Sequence, residues 1–344
     1  MVRTYRDAGV DEAAAARAVE RIAAVAAAST TPAVLGAIGG FGGLFRFDPT
    51  THPDPVLVSS TDNVGTKLKV AVELGRHDTV GIDLVNQSVN DIAVTGADPL
   101  FFLDYLAVGS LDPETVETIV EGVARACAAA GIPLIGGETA QLGDLFASPT
   151  DYDLSGFIVG VVARGDLIDG SATRAGDVVL GLPSSGLHTN GYTLARRVLP
   201  RSLWAEPMPD NGRTIGDALL EPHRSYLDEV RILRRALRAA GDDIHALAHI
   251  TGGGWEGNVP RTLPDRLGVE IETGSWPVPA IFSLIQQRGD IADEEMVRTF
   301  NVGIGMTAVV SEGSVEAALA SLPEARCIGR VLPLEAGHPR VRFA

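Results

Sequence analysis

The chain has 344 residues, enough for two compact domains, and its 45% hydrophobic and 21% charged content is that of a globular protein. Its formal net charge of −16 repels polyanions, so we expect no nucleic-acid partner. A small anionic substrate is still compatible if backbone N–H groups, basic side chains or a metal offset that charge. No apolar run approaches the ~20 residues of a membrane span, which excludes a membrane partner, and no targeting signal is recognisable.

The first half is predicted to mix helices and strands. An Ala-rich helix at 11–29, with Asp11 as candidate cap, precedes a segment at 36–43 whose five glycines favour a mobile loop. Apolar periodicity and helix-end signals predict the elements that follow: strands at 56–60, 100–108, 133–136 and 156–162, and helices at 66–74, 81–94 and 112–131.

The second half repeats this mixture after a Gly- and Asp-rich stretch at 164–176. We place the domain boundary there, giving domains 1–168 and 169–344. The predicted elements are strands at 178–182, 245–250 and 302–310, and helices at 192–199, 226–240 and 280–288. Two mixed domains predict an α/β or α+β fold, although strand order cannot be read from the sequence. The two cysteines, Cys127 and Cys327, form no CxxC pair, which favours reduced thiols in a cytoplasmic protein.

The segment 59–67 leaves a predicted strand and enters a helix, a turn that offers N–H groups and a positive helix end to phosphate. Asp62 could hold Mg²⁺ and Lys67 could meet phosphate oxygens, although the Walker order of residues is absent. The alternative is that Asp62 caps the helix and Lys67 is solvated. On this segment alone, that alternative is favoured.

The helix at 81–94 carries a polar stripe opposite its apolar face. A solvated face normally carries Lys, Glu and Arg, so amides and Asp at helical spacing indicate a functional site or a buried polar network, with equal weight. The stripe comprises Asp83, Asn86, Gln87, Asn90 and Asp91.

The motif Gly136-Gly137-Glu138 follows directly after a predicted strand. Two glycines let a backbone approach a ligand closely, and a carboxylate follows them. Together with Asp62 and Asp91, Glu138 gives three carboxylates, enough for one or two Mg²⁺ ions that bridge phosphates.

Two further polar turns lie in the second half. The first, 184–191, combines hydroxyls and glycines before a helix and suits a phosphate monoester. The second, 245–254, ends in three glycines that permit close approach of a ligand, and strand alternation puts His245 and His249 on one face. Five such turns in one chain predict a large phosphorylated ligand.

Taken together, these segments resemble one family in motif order and length. The resemblance covers nearly the whole chain and includes the segments 6–11, 39–43, 61–67, 77–85, 89–91, 99–105, 136–140, 184–191, 245–254 and 298–306. The family is phosphoribosylformylglycinamidine cyclo-ligase. The resemblance implies a homodimer of two-domain α/β subunits that pair through the N-terminal domain, with the second domain beside an ATP and substrate cleft.

The implied reaction is ring closure in purine biosynthesis. ATP phosphorylates the formamide oxygen of formylglycinamidine ribonucleotide, the amidine nitrogen attacks the activated carbon, and aminoimidazole ribonucleotide, ADP and phosphate result. Such an enzyme positions reacting groups and neutralises the triphosphate.

The resemblance also implies roles for residues at matching positions. Asp62, Asp91 and Glu138 would serve Mg²⁺ and ATP, Lys67 would contact phosphate, and His188 is a candidate general base. The expected nucleotide set is Gly39, Gly40, Phe41, Gly42, Gly43, Asp62, Thr66, Lys67, Asn90 and Glu138, with Lys67, Asp91 and His188 as catalytic candidates. The expected ribonucleotide set is Ser184, Ser185, His188, Asn190, Thr251, Gly252, Gly253, Arg298 and Asn301.

Four departures from the family pattern concern local roles, and one of them is the absence of a lysine often seen late in the first helix. Asn63 stands where Gly is usual, and Asn tolerates the left-handed conformation best after Gly. Gln141 replaces a usual Glu, and Trp255-Glu256-Gly257 displaces another Glu by one position. An alternative function is therefore a non-catalytic ATP-binding scaffold dimer. A selenophosphate synthetase is disfavoured, because it would need a reactive cysteine near the N-terminus and the first cysteine here is Cys127.

Overall fold

A computed structural model describes residues 12–36 and 38–344, with side chains from residue 16 onwards. The chain forms two compact units. The first extends to Ile92 and continues as Asp98–Arg164, and the second comprises Ala93–Ala97 and Gly165–Ala344. The boundary expected between 168 and 169 remains a prediction about functional domains. The candidate cap Asp11 and the segment 6–11 lie outside the described residues.

The first unit contains four helices and four strands in the described part of the chain. Their bounds are α1 Glu12–Ala26, β1 Pro55–Asn63, α2 Lys67–Leu74, α3 Val80–Ala93, β2 Asp98–Val108, α4 Pro113–Ala130, β3 Leu134–Gln141 and β4 Tyr152–Ala163.

These strands form one sheet in the order β1-β4-β2-β3. Strand β4 is antiparallel to β1 and β2, and β3 is parallel to β2. Helix α3 lies on one face: a Cβ at Gly156 would be 3.1 Å from Leu84, and one at Gly160 would be 2.7 Å from Ile92. Glycines in β4 thus let α3 pack closely on the sheet.

The second unit contains seven helices and six strands in the region that the structure describes. Their bounds are β5 Val178–Pro183, α5 Tyr192–Val198, α6 Ile215–Leu219, α7 Leu227–Ala239, β6 Ala246–His249, α8 Gly254–Asn258, β7 Leu267–Ile271, α9 Ala280–Gly289, α10 Asp293–Thr299, β8 Ile304–Val310, α11 Val315–Ser321, β9 Arg326–Pro333 and β10 Val341–Phe343.

The second sheet has the order β10-β7-β9-β5-β8-β6 and is buried on both faces. Alternate residues of β5 enter different apolar clusters: Leu180 joins one with Leu233 of α7, and Val179 joins the other with Trp255 of α8. A central strand covered on both sides is nearly all apolar, as β5 is.

The expected mixed α/β fold in two halves is confirmed. Helix α4 has the expected ends, because the Asp112 side chain accepts a hydrogen bond from Thr115 N and Gly131 adopts φ +73°. Strands β1 and β3 are longer than expected, since their pairing extends through the polar residues that the sequence assigned to turns. None of the helices in the described ranges is long and apolar enough to cross a membrane.

Candidate active site

A cavity of about 390 Å³ lies at the β3 edge of the first sheet. Its volume is within the usual range for small-molecule sites. The glycine loop forms one wall, strand β3 another, and Val19 and Ile22 of α1 contribute apolar surface. The structure therefore brings together two of the expected nucleotide segments, the loop 39–43 and Glu138.

Two glycines create space at this cavity. A Cβ on Gly43 would lie 2.8 Å from Ile135 Cδ1, so only glycine lets the loop approach β3 this closely. A Cβ on Gly137 would lie 2.1 Å from Asp104 Oδ1, so Gly137 leaves the room that this carboxyl group occupies. Phe41, by contrast, is fully exposed at the loop tip.

Asp104 is a cavity residue that the sequence reasoning did not select. It is 8% exposed, and desolvation by burial raises its pKa to about 7. It also lines the cavity beside Gly137. The signal was present, because Asp104 is a single carboxylate within the otherwise apolar run 100–108.

Asp91 of α3 contacts β1 two residues from Asp62. Ser60 donates a hydrogen bond to Asp91 Oδ2 at 3.2 Å, and Ser60 and Asp62 are two residues apart on one face of β1. Both carboxylates are half-buried. The alternative in which Asp62 caps a helix is wrong, since Asp62 is inside β1 and α2 begins at Lys67.

Glu138 does not join these two carboxylates within one chain. It lies on β3, at the sheet edge opposite β1. Glu138 pairs with Tyr105 of β2. Asp62 pairs with Gly156 of β4, and Gly156 pairs with Asp104 of β2. Successive residues face opposite sides of a sheet, so Glu138 and Asp62 are on different faces. The expectation of one three-carboxylate group is corrected on this point.

Lys67 is completely buried and its Nζ lies 2.8 Å from Asp83 Oδ1, which is also completely buried. The alternative of a solvated Lys67 is therefore wrong. A phosphate contact by Lys67 remains a prediction. In this structure the ammonium group donates a hydrogen bond to the Asp83 carboxylate. Thr66, directly before α2, is exposed.

The polar stripe of α3 is largely a buried network. Gln87 donates from Nε2 to Asn63 O at 2.8 Å, and Asn90 is completely buried. Asp91 is the stripe member that reaches β1 beside Asp62. Asn63 ends strand β1 and has no positive φ, so its position does not require glycine; Gly65 has φ +69°.

In the second unit, Asn301 holds the turn that contains the expected ribonucleotide residues. Ser184 Oγ donates to Asn301 Oδ1 at 2.9 Å, and Asn301 Nδ2 donates to Gly186 O at 2.9 Å. Gly303 N donates to the same Oδ1, and Asn301 is 3% exposed. Asn301 thus shapes the turn. Ser185 Oγ donates to Pro222 O at 2.6 Å.

The glycine turn after β6 lies against the same region. A Cβ on Gly252 would be 3.2 Å from Asn190 Oδ1, which places Asn190 beside the 251–253 turn. Asn258 braces this turn through bonds from Nδ2 to Thr251 O and Gly252 O, both 3.2 Å. Gly253 has φ +88°, a conformation that favours glycine.

Arg298 also reaches this turn, through its backbone. A Cβ on Gly254 would be 2.6 Å from Arg298 C, whereas the exposed side chain of Arg298 has Nε 3.7 Å from Glu256 Oε2. The structure therefore groups the expected ribonucleotide residues in one region of the second unit.

His188 is 1% exposed and stacks on His223, with ring centroids 4.0 Å apart. His223 and His249 are also buried. His245 lies before β6 and binds Asp177 Oδ2 through Nδ1 at 2.7 Å, so the expected common strand face for His245 and His249 is not formed. Sequence reasoning missed His223, because a lone histidine before a helix gives no local signal of its distant partners.

Comparisons with known proteins place these features in context. Profiles described as AIR synthase related protein match residues 41–162 (N-terminal domain) and 174–340 (C-terminal domain). Relatives named phosphoribosylformylglycinamidine cyclo-ligase include one from Desulfitobacterium hafniense, 50% identical over 91% of each chain, and one from Xanthomonas oryzae pv. oryzae, 48% identical over 99% of each.

Solved structures share the fold at lower identity. Escherichia coli HypE, a hydrogenase maturation protein, has a TM-score of 0.68 at 20% identity and covers 96% of this chain and 93% of its own. A HypE in complex with ATP has a TM-score of 0.65 at 18% identity, covering 92% of this chain and 88% of its own.

Proposed function

Because the chain belongs to the phosphoribosylformylglycinamidine cyclo-ligase family, we propose that it performs the ring closure of that family in de novo purine biosynthesis. The substrate is formylglycinamidine ribonucleotide, and the products are 5-aminoimidazole ribonucleotide, ADP and phosphate. The observation that carries this proposal is near-full-length identity of about half of all positions to proteins of that name.

ATP is assigned to the first unit. The cavity at β3 has a glycine loop on one wall and backbone groups of the 134–139 segment on another. Glycine-rich backbone gives phosphate oxygens access to N–H donors without interference from side chains. A solved structure with the same fold was obtained in complex with ATP, which supports a nucleotide site in this fold.

Mg²⁺ fits the pair Asp62 and Asp91. The two carboxylates lie near one strand face, they remain half-exposed, and Ser60 provides a further oxygen beside them. Oxygen ligands from one or two carboxylates are what Mg²⁺ takes when it also binds nucleotide phosphates. Because this pair lies at β1 and the glycine-loop cavity lies at β3, the opposite edge of the same sheet, the assignment requires the two to meet through the homodimer proposed below. When bound, the ion supplies neutralisation of phosphate charge.

We expect Asp62→Asn and Asp91→Asn to fold normally and to lose about 100-fold or more in turnover, since each removes charge stabilisation at the phosphates. Asp98→Asn, at the exposed start of β2, is the matched control. Near-wild-type turnover of either variant at saturating Mg²⁺ would remove the metal assignment.

The ribonucleotide is assigned to the second unit. The turn at 184–191 provides hydroxyls and backbone N–H groups, and Asn301 fixes its shape. The 251–253 turn adds backbone that a ligand can approach closely. Such groups bind and orient, which is what a reaction between two parts of one substrate requires.

The chemistry follows from leaving-group ability. An amide oxygen leaves poorly, and transfer of the γ-phosphoryl group from ATP converts it to a phosphate ester. The amidine nitrogen then forms the new C–N bond, the C–O bond to phosphate breaks, and a proton leaves the nitrogen. The residues bind, orient and stabilise charge in this scheme.

Isotope transfer tests the scheme directly. The protein is supplied with MgATP and a substrate that carries ¹⁸O in its formyl group, and the released phosphate is examined by mass spectrometry. We expect one labelled oxygen per ring closed. Imidazole formation without label in phosphate would refute amide phosphorylation, and absence of imidazole with ATP bound would favour the scaffold alternative.

We also propose that the chain forms a homodimer through the first sheet. The face away from α3 exposes large apolar side chains on three strands: Leu57 by 65%, Phe157 by 42% and Tyr105 by 36%. Strand register puts Phe157 opposite Thr61 and Leu103, on that same face. Several large apolar side chains exposed on one face of a sheet are typical of an association site, and a second copy is the commonest partner.

A further inference from the structure

Asp104 is a buried carboxyl group at the cavity beside β3. It is 8% exposed and lines this cavity next to Gly137. Within the described part of the chain, the hydrogen-bond donor beside its carboxyl group is its own backbone N–H, and no cationic side chain pairs with it. We propose that Asp104 selects the base of the bound nucleotide by accepting a hydrogen bond from the 6-amino group of adenine. This inference rests on the proposed ATP site and extends it to recognition of the base.

The lining of the cavity fits an uncharged ring. The residues of the described chain that line it include no lysine, arginine or histidine, and Val19, Ile22 and Ile135 give it apolar walls. Apolar walls with a few polar groups are typical of sites that orient a small ligand. Of the two acidic residues in the lining, Glu138 is exposed and Asp104 is buried. The apolar part of the cavity therefore suits the base, and the glycine loop remains available to the phosphates.

Two neighbouring strands hold Asp104 in a fixed position. It pairs with Gly137 of β3 on one side and with Gly156 of β4 on the other. A Cβ on Gly137 would lie 2.1 Å from Asp104 Oδ1, so the carboxyl group lies over the backbone of β3, which forms a wall of the cavity. A side chain on an interior strand is placed more precisely than one on a loop, and such placement favours a role in specificity.

The hydrogen-bonding capacity of Asp104 distinguishes amino from oxo bases. A buried acceptor without a donor is unfavourable, and a ligand N–H that reaches it removes this cost. Adenine carries such a donor in its 6-amino group, whereas guanine and hypoxanthine carry an acceptor oxygen at the same position. An ionised carboxylate has only acceptors, so a 6-oxo base would place two acceptor atoms against each other. A protonated Asp104 could instead donate to that oxygen, so we expect selection to be strongest when Asp104 is ionised.

The ionisation of Asp104 should therefore control how strongly the base is selected. Burial raises its pKa to about 7, so the carboxyl group is mainly neutral at pH 6 and mainly ionised at pH 8. The other titratable groups around it are Cys127 of α4, whose pKa burial raises well above its usual value, and Glu138 of β3. The residues of α1 and of the glycine loop that line the cavity are uncharged. Between these two pH values the protonated fraction of Asp104 changes about 10-fold, which sets the expected change in selection.

Calorimetric titration of the full-length protein with MgATP and with MgITP, whose base is hypoxanthine, measures the selection without the second substrate. We expect the wild type to bind ATP at least about 100-fold more tightly than ITP at pH 8, and this ratio to fall about 10-fold at pH 6. Protonation of the triphosphate is common to both nucleotides and cancels in the ratio. Asp104→Asn should show a ratio under about 10 at both pH values, because an amide can donate as well as accept. Asp98→Asn, at the exposed start of the same strand, is the control and should behave as the wild type.

The wild-type comparison at two pH values needs no variant, so it decides the matter even if Asp104→Asn does not fold. The proposal is overturned if the wild type binds ITP as tightly as ATP at pH 8, or if its preference is the same at pH 6. It is equally overturned if folded Asp104→Asn keeps the wild-type preference. Ring closure with ATP is assayed on the same preparations. Ring closure without base selection would refute this inference alone, and base selection without ring closure would refute the proposed function alone.

Discussion

At the scale of single residues, Asp104 has a carboxyl group whose environment differs strongly from water. It lies beneath Gly137 at the cavity beside β3, and burial raises its pKa to about 7. A neutral carboxylic acid can donate a hydrogen bond, which an ionised one cannot. Near neutral pH, Asp104 can therefore direct a hydrogen-bond donor at the cavity when it is protonated, and only hydrogen-bond acceptors when it is ionised.

The raised pKa of Asp104 predicts a specific pH dependence of stability. An unfolded Asp titrates near 3.9. Between about pH 4 and 7 the folded protein keeps a proton that the unfolded chain has released, so the free energy of unfolding falls as pH rises through this window and is constant above it. Asp104→Asn removes this effect.

The free energy of unfolding of Asp104→Asn minus that of the wild type should therefore be larger at pH 8 than at pH 5. The increase should be roughly 3 kcal/mol, at 1.36 kcal/mol per pKa unit. Urea unfolding without nucleotide at both pH values measures it. Asp98→Asn, at the exposed start of the same strand, is the control. An equal difference at both pH values would show that Asp104 does not titrate in this window.

The Lys67–Asp83 pair is a second feature of residue scale. Removing one partner leaves a buried charge uncompensated, so Lys67→Met should destabilise the protein by about 3–5 kcal/mol. Arg330→Gln, from an exposed pair with Glu312, should cost under about 1 kcal/mol. Urea unfolding compares the two. A small change in the free energy of unfolding of Lys67→Met would mean that the ammonium group does not stabilise the Asp83 carboxylate. That result would favour the expected contact of Lys67 with phosphate.

At the scale of elements, the glycine loop is the segment whose order we expect to depend on ligand. Residues 39–43 line the cavity, and glycine gives them little side-chain surface to bury when the cavity contains only solvent. Backbone hydrogen exchange across this loop should slow when MgATP is added. Unchanged exchange at saturating nucleotide would argue against a closing loop.

Two neighbouring glycines give a matched test of the loop's position. Gly43→Ala places a Cβ 2.8 Å from Ile135 and must shift the loop, whereas Gly42→Ala meets nothing within 4 Å. We expect the KM for ATP to rise roughly 10-fold or more in Gly43→Ala, since small displacements of binding groups are costly. Gly42→Ala should remain near the wild type, and equal effects of the two would count against this geometry.

The sequence predicted elements best where the signals were local. Asp112, Pro113 and Gly131, at or directly beside the ends of α4, define where that helix begins and ends. The order of strands and the meeting of His188 with His223 depend on residues far apart in the chain, for which one sequence gives no signal. Similarly, the sequence left Lys67 as either a phosphate ligand or a solvated side chain. Its partner Asp83 could not be identified, because the two residues meet only when α2 and α3 pack together.

At the scale of the whole molecule, the exposed face of the first sheet predicts assembly. A stable interface buries about 800 Å² per partner and has an apolar centre. Leu57 and Phe157 provide such a centre on adjacent strands. The resulting dimer would have two-fold symmetry, so each change in one chain acts twice across the interface.

Charge placed at that centre should separate the subunits. We expect the wild type to sediment as a dimer at micromolar concentration and Phe157→Glu to sediment as a monomer, because two carboxylates would lose water without gaining partners. Ile232→Glu, at a 42% exposed position on α7, is the matched control and should remain dimeric. If the nucleotide site depends on assembly, monomeric Phe157→Glu should also lose ATP binding. A wild type that is monomeric and fully active would exclude the interface from the mechanism, and a dimeric Phe157→Glu would place it elsewhere on the chain.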